Sequence, residues 1–548
     1  RYGKFANLQE LVSSSAMRFG DKPLYKYFDA DGQIREMSYC TFGNATRALG
    51  TALAARGLLG KRIAILSESR PEWMVGYVST IGGGGVTVPL DRELQTEQIR
   101  NFLNVSEAEA ILFSAPYEKA LLEMAPELPG VRAFIAFDET SETWPPELAG
   151  RLLSYRRMVE DGQEMYENGN DAYTSAKVDV YAMSAIIFTS GTTGTSKGVM
   201  LSQGNFVASA NAACETTQYD TNDVFVSVLP IHHTYELTTG QIAACNCGVT
   251  VCICEGVRYA TRCFKEYQPT ALILVPLYLE TIHKKIWSEI RRKGMEKKVR
   301  AGMAISDKML MVGIDNREKL FGEITAVFGG RLKSVIVGGA PIDPEIVHDF
   351  YSFGIAVYQG YGITECSPLV SVNRPGKIKF KTIGQSVPGC EVRIAPMADS
   401  ENGEGEILVR GANVMKGYYK MPRATAQAID SEGWLHSGDI CCRTPDGYYK
   451  VTGRLKDMII RGGENIYPRE IEEYYLTNPK VRDVQVVGVP DKKYGEEVCA
   501  YVVLKDKGSA TAEELINFVK EGLSRFKAPH YGLFVDTFPM TASGKIQK

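Results

Sequence analysis

Four short runs in this 548-residue chain are apolar at every interior position. They are Arg62-Ile63-Ala64-Ile65-Leu66, Ala110-Ile111-Leu112-Phe113, Ala271-Leu272-Ile273-Leu274-Val275 and Ser334-Val335-Ile336-Val337, and each gives way to Ser, Pro or Gly. A strand with one wet face alternates polar and apolar side chains, so an unbroken apolar run belongs to a strand covered on both faces. Helical patterns separate these runs, which predicts an α/β chain with parallel-rich sheets packed under helices. From about Gly384 the texture changes to shorter alternating strands rich in Gly, as in Gly405-Glu406-Ile407-Leu408-Val409-Arg410. A new helix–strand alternation runs from Pro468 to the end. The expected organisation is a large N-terminal domain over 1–453, with a small β-rich subdomain at about 384–453, and a small α+β C-terminal domain over 458–548.

Composition narrows the functional classes. Lys plus Arg number 62 and Asp plus Glu 65, a formal net charge of −3. Bulk charge therefore does not hold this chain to nucleic acid. Twelve cysteines are scattered from Cys40 to Cys499, and reduced thiols are expected. Cys245, Cys247, Cys252 and Cys254 form a C-x-C…C-x-C array. Zinc ligand pairs usually have two or more residues between them, and residues 249–254 read as a buried strand in which Cys is a small hydrophobe. No apolar segment of the signal-peptide kind follows Arg1-Tyr2-Gly3-Lys4, and no apolar stretch approaches the ~20 residues of a membrane span. A soluble, cytoplasmic protein is expected. Between 284 and 300, eight Lys or Arg stand against two Glu. A solvated helical face is the plainer reading, and peripheral membrane contact is the other.

The chemistry concentrates in Thr189-Ser190-Gly191-Thr192-Thr193-Gly194-Thr195-Ser196-Lys197-Gly198, which follows the apolar run Ala185-Ile186-Ile187-Phe188. Glycines let successive N–H groups face an anion, hydroxyls add donors, and Lys197 adds charge. This is a phosphate-binding loop but not a Walker A loop, because Ser196 precedes the lysine and Gly198 follows it. Gly338-Gly339 and Gly360-Tyr361-Gly362 each end an apolar run. Two such turns make a crevice at the carboxyl ends of a sheet, where α/β proteins bind ligands.

In order along the chain these motifs, with Leu229-Pro230-Ile231-His232-His233, Gly338-Gly339-Ala340-Pro341, Tyr361-Gly362-Ile363-Thr364-Glu365, Ser437-Gly438-Asp439, Gly453-Arg454-Leu455-Lys456-Asp457 and Gly544-Lys545, resemble the adenylate-forming superfamily of acyl-CoA synthetases, adenylation domains and luciferases. The form Leu229-Pro230-Ile231-His232-His233-Thr234-Tyr235-Glu236 is most similar to long-chain fatty acid–CoA ligases. The resemblance implies a two-step ligase using ATP, Mg²⁺ and coenzyme A, with small-molecule partners and no nucleic acid. Ligation of an aromatic or other acid, or an inactive nucleotide-binding scaffold, is the alternative.

The same resemblance implies roles for single residues. Thr189, Ser190, Gly191, Thr192, Thr193, Gly194 and Lys197 would hold phosphates. Gly339, Ala340, Pro341, Gly360, Tyr361 and Gly362 would hold adenine, and Asp439 and Arg454 the ribose. Glu365 is a hard oxygen ligand suited to Mg²⁺. Thr364 would donate to the α-phosphate, and Lys545 would offset charge there. His233, Tyr235 and Glu236 would lie toward the acyl group, and Gly462, Gly463 and Glu464 toward the thiol channel. Residues 454–457 would be a hinge, with Lys456 its pivot and 458–548 mobile about it.

Overall fold

A computed structural model of the chain describes residues 2–189, 196–397, 403–462, 464–540 and 546. They pack as two compact units. The first comprises 1–380, 386–391 and 410–433, and the second 381–385, 392–409 and 434–548.

Two sheets organise the first unit. In one, Ala271–Leu274, Ser334–Val337 and Ala356–Gly362 are parallel neighbours. Val224–Ser227 and Thr250–Ile253 continue it in parallel on one side, and Leu369–Val372 pairs antiparallel on the other. The second sheet is built on Arg62–Leu66 between parallel Val86–Pro89 and Ala110–Phe113. All four unbroken apolar runs are strands in these sheets, and the residues of Ala110–Phe113, Ala271–Leu274 and Ser334–Val337 are buried throughout. Double-sided cover removes the polar face that would otherwise alternate along each strand. Ile111, Phe113, Leu121, Phe134 and Ile186 are among the side chains that close the core of the second sheet.

Two features differ from the plain strand–helix–strand scheme. Met183–Thr189 does not lead into a helix; the chain returns antiparallel along it as Lys197–Ser202 before the helix Gln203–Thr217 begins. After His233, residues Glu236–Ile242 form a π-helix, which passes into the short helix Ala243–Cys247. Thr250–Ile253 is a fully buried strand, and the cysteines of the 245–254 array are free, buried thiols.

The second unit holds most of the β-rich segment, over 392–409 and from 434 onward, and continues to the end of the chain. Gly405–Gly411 and Tyr449–Arg454 flank Leu435–Arg443 antiparallel. Further on, Val481–Asp491 pairs with Gly495–Leu504, and helices Pro468–Leu476 and Ala512–Gly522 pack there through Ile471, Tyr475, Leu515 and Val519. Among the described residues no helix is long and apolar enough to cross a membrane.

Candidate active site

Parallel pairing of Ser334–Val337 with Ala356–Gly362 places the two glycine turns side by side at the carboxyl ends of adjacent strands. Gly339 has φ +87°, the left-handed region that side chains avoid. Gly362 is required by space, since a Cβ there would lie 2.4 Å from the Pro368 carbonyl oxygen. Gly339, Ala340 and Pro341 are exposed, while Gly360, Tyr361, Gly362, Thr364 and Glu365 are half-buried. An open shelf beside a half-covered ring suits a planar base. Thr364 opens a single 3₁₀ turn with Glu365 as its next residue.

The phosphate-loop residues Ser190, Gly191, Thr192, Thr193 and Gly194 lie outside the described residues, but both ends of their segment are in place. Thr189 and Lys197 face each other across the hairpin, and the Thr189 hydroxyl donates to the Lys197 carbonyl at 3.4 Å. Lys197 Nζ lies 4.7 Å over the centroid of the Tyr418 ring. The Tyr418 hydroxyl in turn donates to Glu365 Oε1 at 2.9 Å. Burial, and then the Glu365 carboxylate, push the Tyr418 phenol up, so it stays protonated as a donor. Tyr418 is held by pairing of Gly417–Tyr418 with Val199 and Met200, and the Met415 amide donates to the Glu365 carbonyl at 2.8 Å. A loop lysine and a carboxylate 168 positions apart in sequence are thus joined through one tyrosine. Glu365 offers a hard oxygen donor, as a Mg²⁺ ion carried by polyphosphate requires.

His232 and His233 follow the Pro230 turn with ring centroids 4.2 Å apart. His232 Nε2 faces Asp91 Oδ2 at 3.5 Å. Burial works to raise the Asp91 carboxyl, but the His232 imidazole beside it prevails and holds it at about 2. The donor atoms of Asp91, His232 and His233 all lie within 4.8 Å of one another, a nitrogen-rich set poorly matched to Mg²⁺. Tyr235 reaches the strand ends, its hydroxyl donating to the Ile336 carbonyl at 3.2 Å. Glu236 turns elsewhere. It is 1% exposed, and its Oε1 accepts from Ser227 at 2.5 Å and from Gln241 at 2.8 Å. Burial pushes its carboxyl up to about 7.

A cleft opens beside the glycine turns. Gly338, Gly339, Gly360, Tyr361 and Gly362 form its mouth, with Tyr235 and Thr239 of the π-helical segment on one wall and Ala213, Thr216 and Thr217 of the 203–217 helix on another. Ala213, Thr217, Thr239 and Ile336 also line an adjoining void that ends at Cys214, Phe225 and Cys247. The threonine hydroxyls are turned back onto their own helices, Thr216 to the Ala212 carbonyl at 2.8 Å and Thr217 to that of Ala213 at 2.7 Å. Thr239 donates likewise to the Tyr235 carbonyl. Among the described residues that line these spaces there is no carboxylate and no amine.

In the second unit, Asp439 is buried and pairs across the strands with Arg454, whose Nε lies 3.0 Å from Asp439 Oδ1. Lys456 lies in the 3₁₀ turn Leu455–Asp457. Gly462 closes the hairpin between Ile459–Arg461 and Glu464–Ile466, its amide donating to the Tyr494 carbonyl at 2.8 Å. Gly463 and Lys545 lie outside the described residues.

Sequence reasoning missed Asp91, Tyr418 and the three cavity threonines. Asp91 carried one usable signal, its place just after the strand Val86–Pro89 at a carboxyl end. Tyr418 and the threonines carried none, because their neighbours come from distant parts of the chain.

The sequence model of the AMP-binding enzymes matches residues 12–419, and that of the AMP-binding enzyme C-terminal domain matches residues 470–545. The medium-chain fatty-acid–CoA ligase of Escherichia coli (strain K12) is 29% identical, over 94% of this chain and 86% of that one. The human mitochondrial medium-chain acyl-CoA ligase ACSF2 is 30% identical, over 90% and 80% respectively. Among solved structures, ATP-bound MatB from Rhodopseudomonas palustris has a TM-score of 0.77 at 24% identity, covering 99% of this chain and 97% of that chain. The paired glycine turns, the Lys197 hairpin and the Glu365–Tyr418 contact all fall within the span of the first match, and the chain belongs to the AMP-binding enzymes, the adenylate-forming family that includes acyl-CoA ligases.

Proposed function

We propose that the protein is an AMP-forming fatty acid–CoA ligase. A fatty carboxylate attacks the α-phosphorus of ATP and pyrophosphate leaves, giving an acyl-adenylate. The thiol of coenzyme A then attacks the acyl carbon, and AMP leaves. The observation that carries this reading is the cleft beside the glycine turns. Its threonine hydroxyls are spent on helix carbonyls, which leaves a largely apolar lining. An amino acid would bring an α-ammonium to a wall without a carboxylate, whereas an alkyl chain needs only apolar cover. The relatives named as medium-chain ligases support the same class of acid.

In this reading the Gly339-Ala340-Pro341 shelf and Tyr361 take the adenine. Lys197 and Thr364 meet phosphate oxygens, and His233 and Tyr235 flank the carboxylate at the cleft mouth. Asp439 and Arg454 take the ribose, while Lys545 neutralises charge growing at the α-phosphate. Mg²⁺ bound through Glu365 would neutralise polyphosphate charge. Lys456 is the proposed pivot between the two half-reactions, with Gly462, Gly463 and Glu464 serving the second.

ATP–pyrophosphate exchange across fatty, aromatic and amino acids tests the reading. Each methylene that fits should gain ~0.8 kcal/mol, so kcat/KM should rise about fourfold per carbon and then level off. A preference for a benzoate or an amino acid over every fatty acid would overturn it.

A further inference from the structure

Between 284 and 333 the chain carries 13 Lys or Arg against six Asp or Glu, although its overall formal charge is −3. Four of those acids already face basic side chains of this protein. Glu289 meets Arg292 at 2.5 Å, Glu296 meets Arg300 at 3.2 Å, Asp315 meets Arg317 at 2.7 Å and Asp307 meets His348 at 3.3 Å. The surplus positive charge is therefore presented to the outside, and exposed apolar side chains accompany it.

The helix Glu296–Met311 buries Met303 and Ser306. Its opposite side carries Lys298, Ala301, Ile305 and Lys308, and Val312 follows in the same 3–4–3–4 spacing, so all five lie along one exposed stripe. At the helix end the chain hooks back. The Val312 and Ile314 amides both donate to the Met309 carbonyl, at 3.1 and 2.9 Å, and the Gly313 amide donates to that of Leu310 at 3.0 Å. With its backbone bonds closed internally, the hook holds apolar side chains outward: Met311 is 84% exposed, Val312 72% and Ile314 48%, while Ile305 on the stripe is 56% exposed. A monomer rarely leaves such a cluster in water without a use.

We propose that this face docks onto an anionic phospholipid bilayer. Met311, Val312 and Ile314 enter the boundary between headgroups and acyl chains, Ile305 follows, and Lys297, Lys298 and Lys308 meet the headgroup phosphates. Long lysine stems suit this geometry, since they cover apolar surface while their ammonium groups stay wet. A second copy of the chain is the poorer occupant, because a two-fold contact would set the same lysines against each other. Each lysine near an anionic surface multiplies affinity by about five. The docking does not depend on which acid the enzyme activates.

The test is co-sedimentation of the full chain with vesicles of phosphatidylcholine alone and of phosphatidylcholine with phosphatidylglycerol. Binding is expected to the mixed vesicles and to weaken as salt rises. The double substitution Met311→Ser, Val312→Ser should weaken it at least tenfold. The triple substitution Lys297→Glu, Lys298→Glu, Lys308→Glu should abolish it. All five positions are exposed or at the surface stripe, so circular dichroism and exchange activity with a short, water-soluble acid should match wild type and report intact folding. Equal binding to neutral and anionic vesicles, absence of binding, or binding unchanged in the Met311/Val312 variant would overturn the proposal. So would light scattering that shows a dimer lost in that variant, which would assign the face to a second copy.

Discussion

Glu236 is a carboxyl group with neutral partners only, Ser227 and Gln241, in a fully buried position. In the unfolded chain it ionises near ~4.3, whereas burial raises it to about 7 in the folded protein. The native state thus keeps a proton that the unfolded state releases across this window, and stability must fall as pH rises from ~4.3 to about 7, then level off. The size of this contribution is about 4 kcal/mol. Glu236→Gln keeps the shape and an acceptor for Ser227 without the titration. Urea unfolding should show the variant gaining on wild type at pH 8 and not at pH 5; equal behaviour at both would mean that Glu236 is charged in the folded protein. Tyr418→Phe tests the other buried contact. The ring under Lys197 remains and only the 2.9 Å bond to Glu365 is lost. Adenylation should fall about tenfold with an increased Mg²⁺ requirement, at a stability cost of about 1 kcal/mol. Exchange rates against Mg²⁺ concentration measure this, and an unchanged profile would reduce Tyr418 to packing. At this scale the sequence marked Thr364, Glu365 and Asp439 as candidates, because each sits in a short continuous motif. Tyr418 was invisible: what defines it is a hairpin more than 200 residues earlier.

Elements were more legible than residues wherever burial is symmetrical. An apolar run of four or five residues can be covered on both faces only inside a layered sheet, and strands such as Ala271–Leu274 carried that message unaided. The return of the chain from Thr189 along Lys197–Ser202 was not readable, since a strand followed by a glycine loop usually leads into a helix. Neither was the π-helix Glu236–Ile242, whose sequence has no period that separates it from an α-helix. That element nevertheless shapes the cleft. Its Thr239, like Thr217, lines both the cleft and the adjoining void. Thr239→Phe should fill this space with a ring. In exchange assays the preferred fatty acid should shorten by several carbons, while kcat/KM for the shortest acids stays within about threefold of wild type, and overpacking should cost about 1–3 kcal/mol of stability. A uniform loss at every chain length would mean that the acyl chain does not pass Thr239.

At the scale of the whole molecule, the chemistry assigned to this chain demands two different constellations around one acyl group. In the first step an anionic carboxylate meets an anionic polyphosphate, so a cation at the α-phosphate is needed while charge builds there. In the second step the acyl carbon must be open to a thiol, and that cation has no further work. Lys545 is the proposed cation and Lys456, in the turn Leu455–Asp457, the proposed pivot. Lys545→Ala should slow acyl-adenylate formation about a hundredfold or more, equivalent to ~3 kcal/mol of transition-state stabilisation. It should still convert supplied acyl-adenylate and coenzyme A to thioester at close to the wild-type rate. Lys456→Pro should behave differently. A proline fixes φ near −65° and limits the turn to one arrangement, so it should retard one half-reaction far more than the other. Measuring both half-reactions on both variants separates a missing charge from a blocked motion. Adenylation by Lys545→Ala at near the wild-type rate would remove that lysine from the mechanism. Equal losses of both steps in a folded Lys456→Pro enzyme would show that the chain does not pivot at this turn.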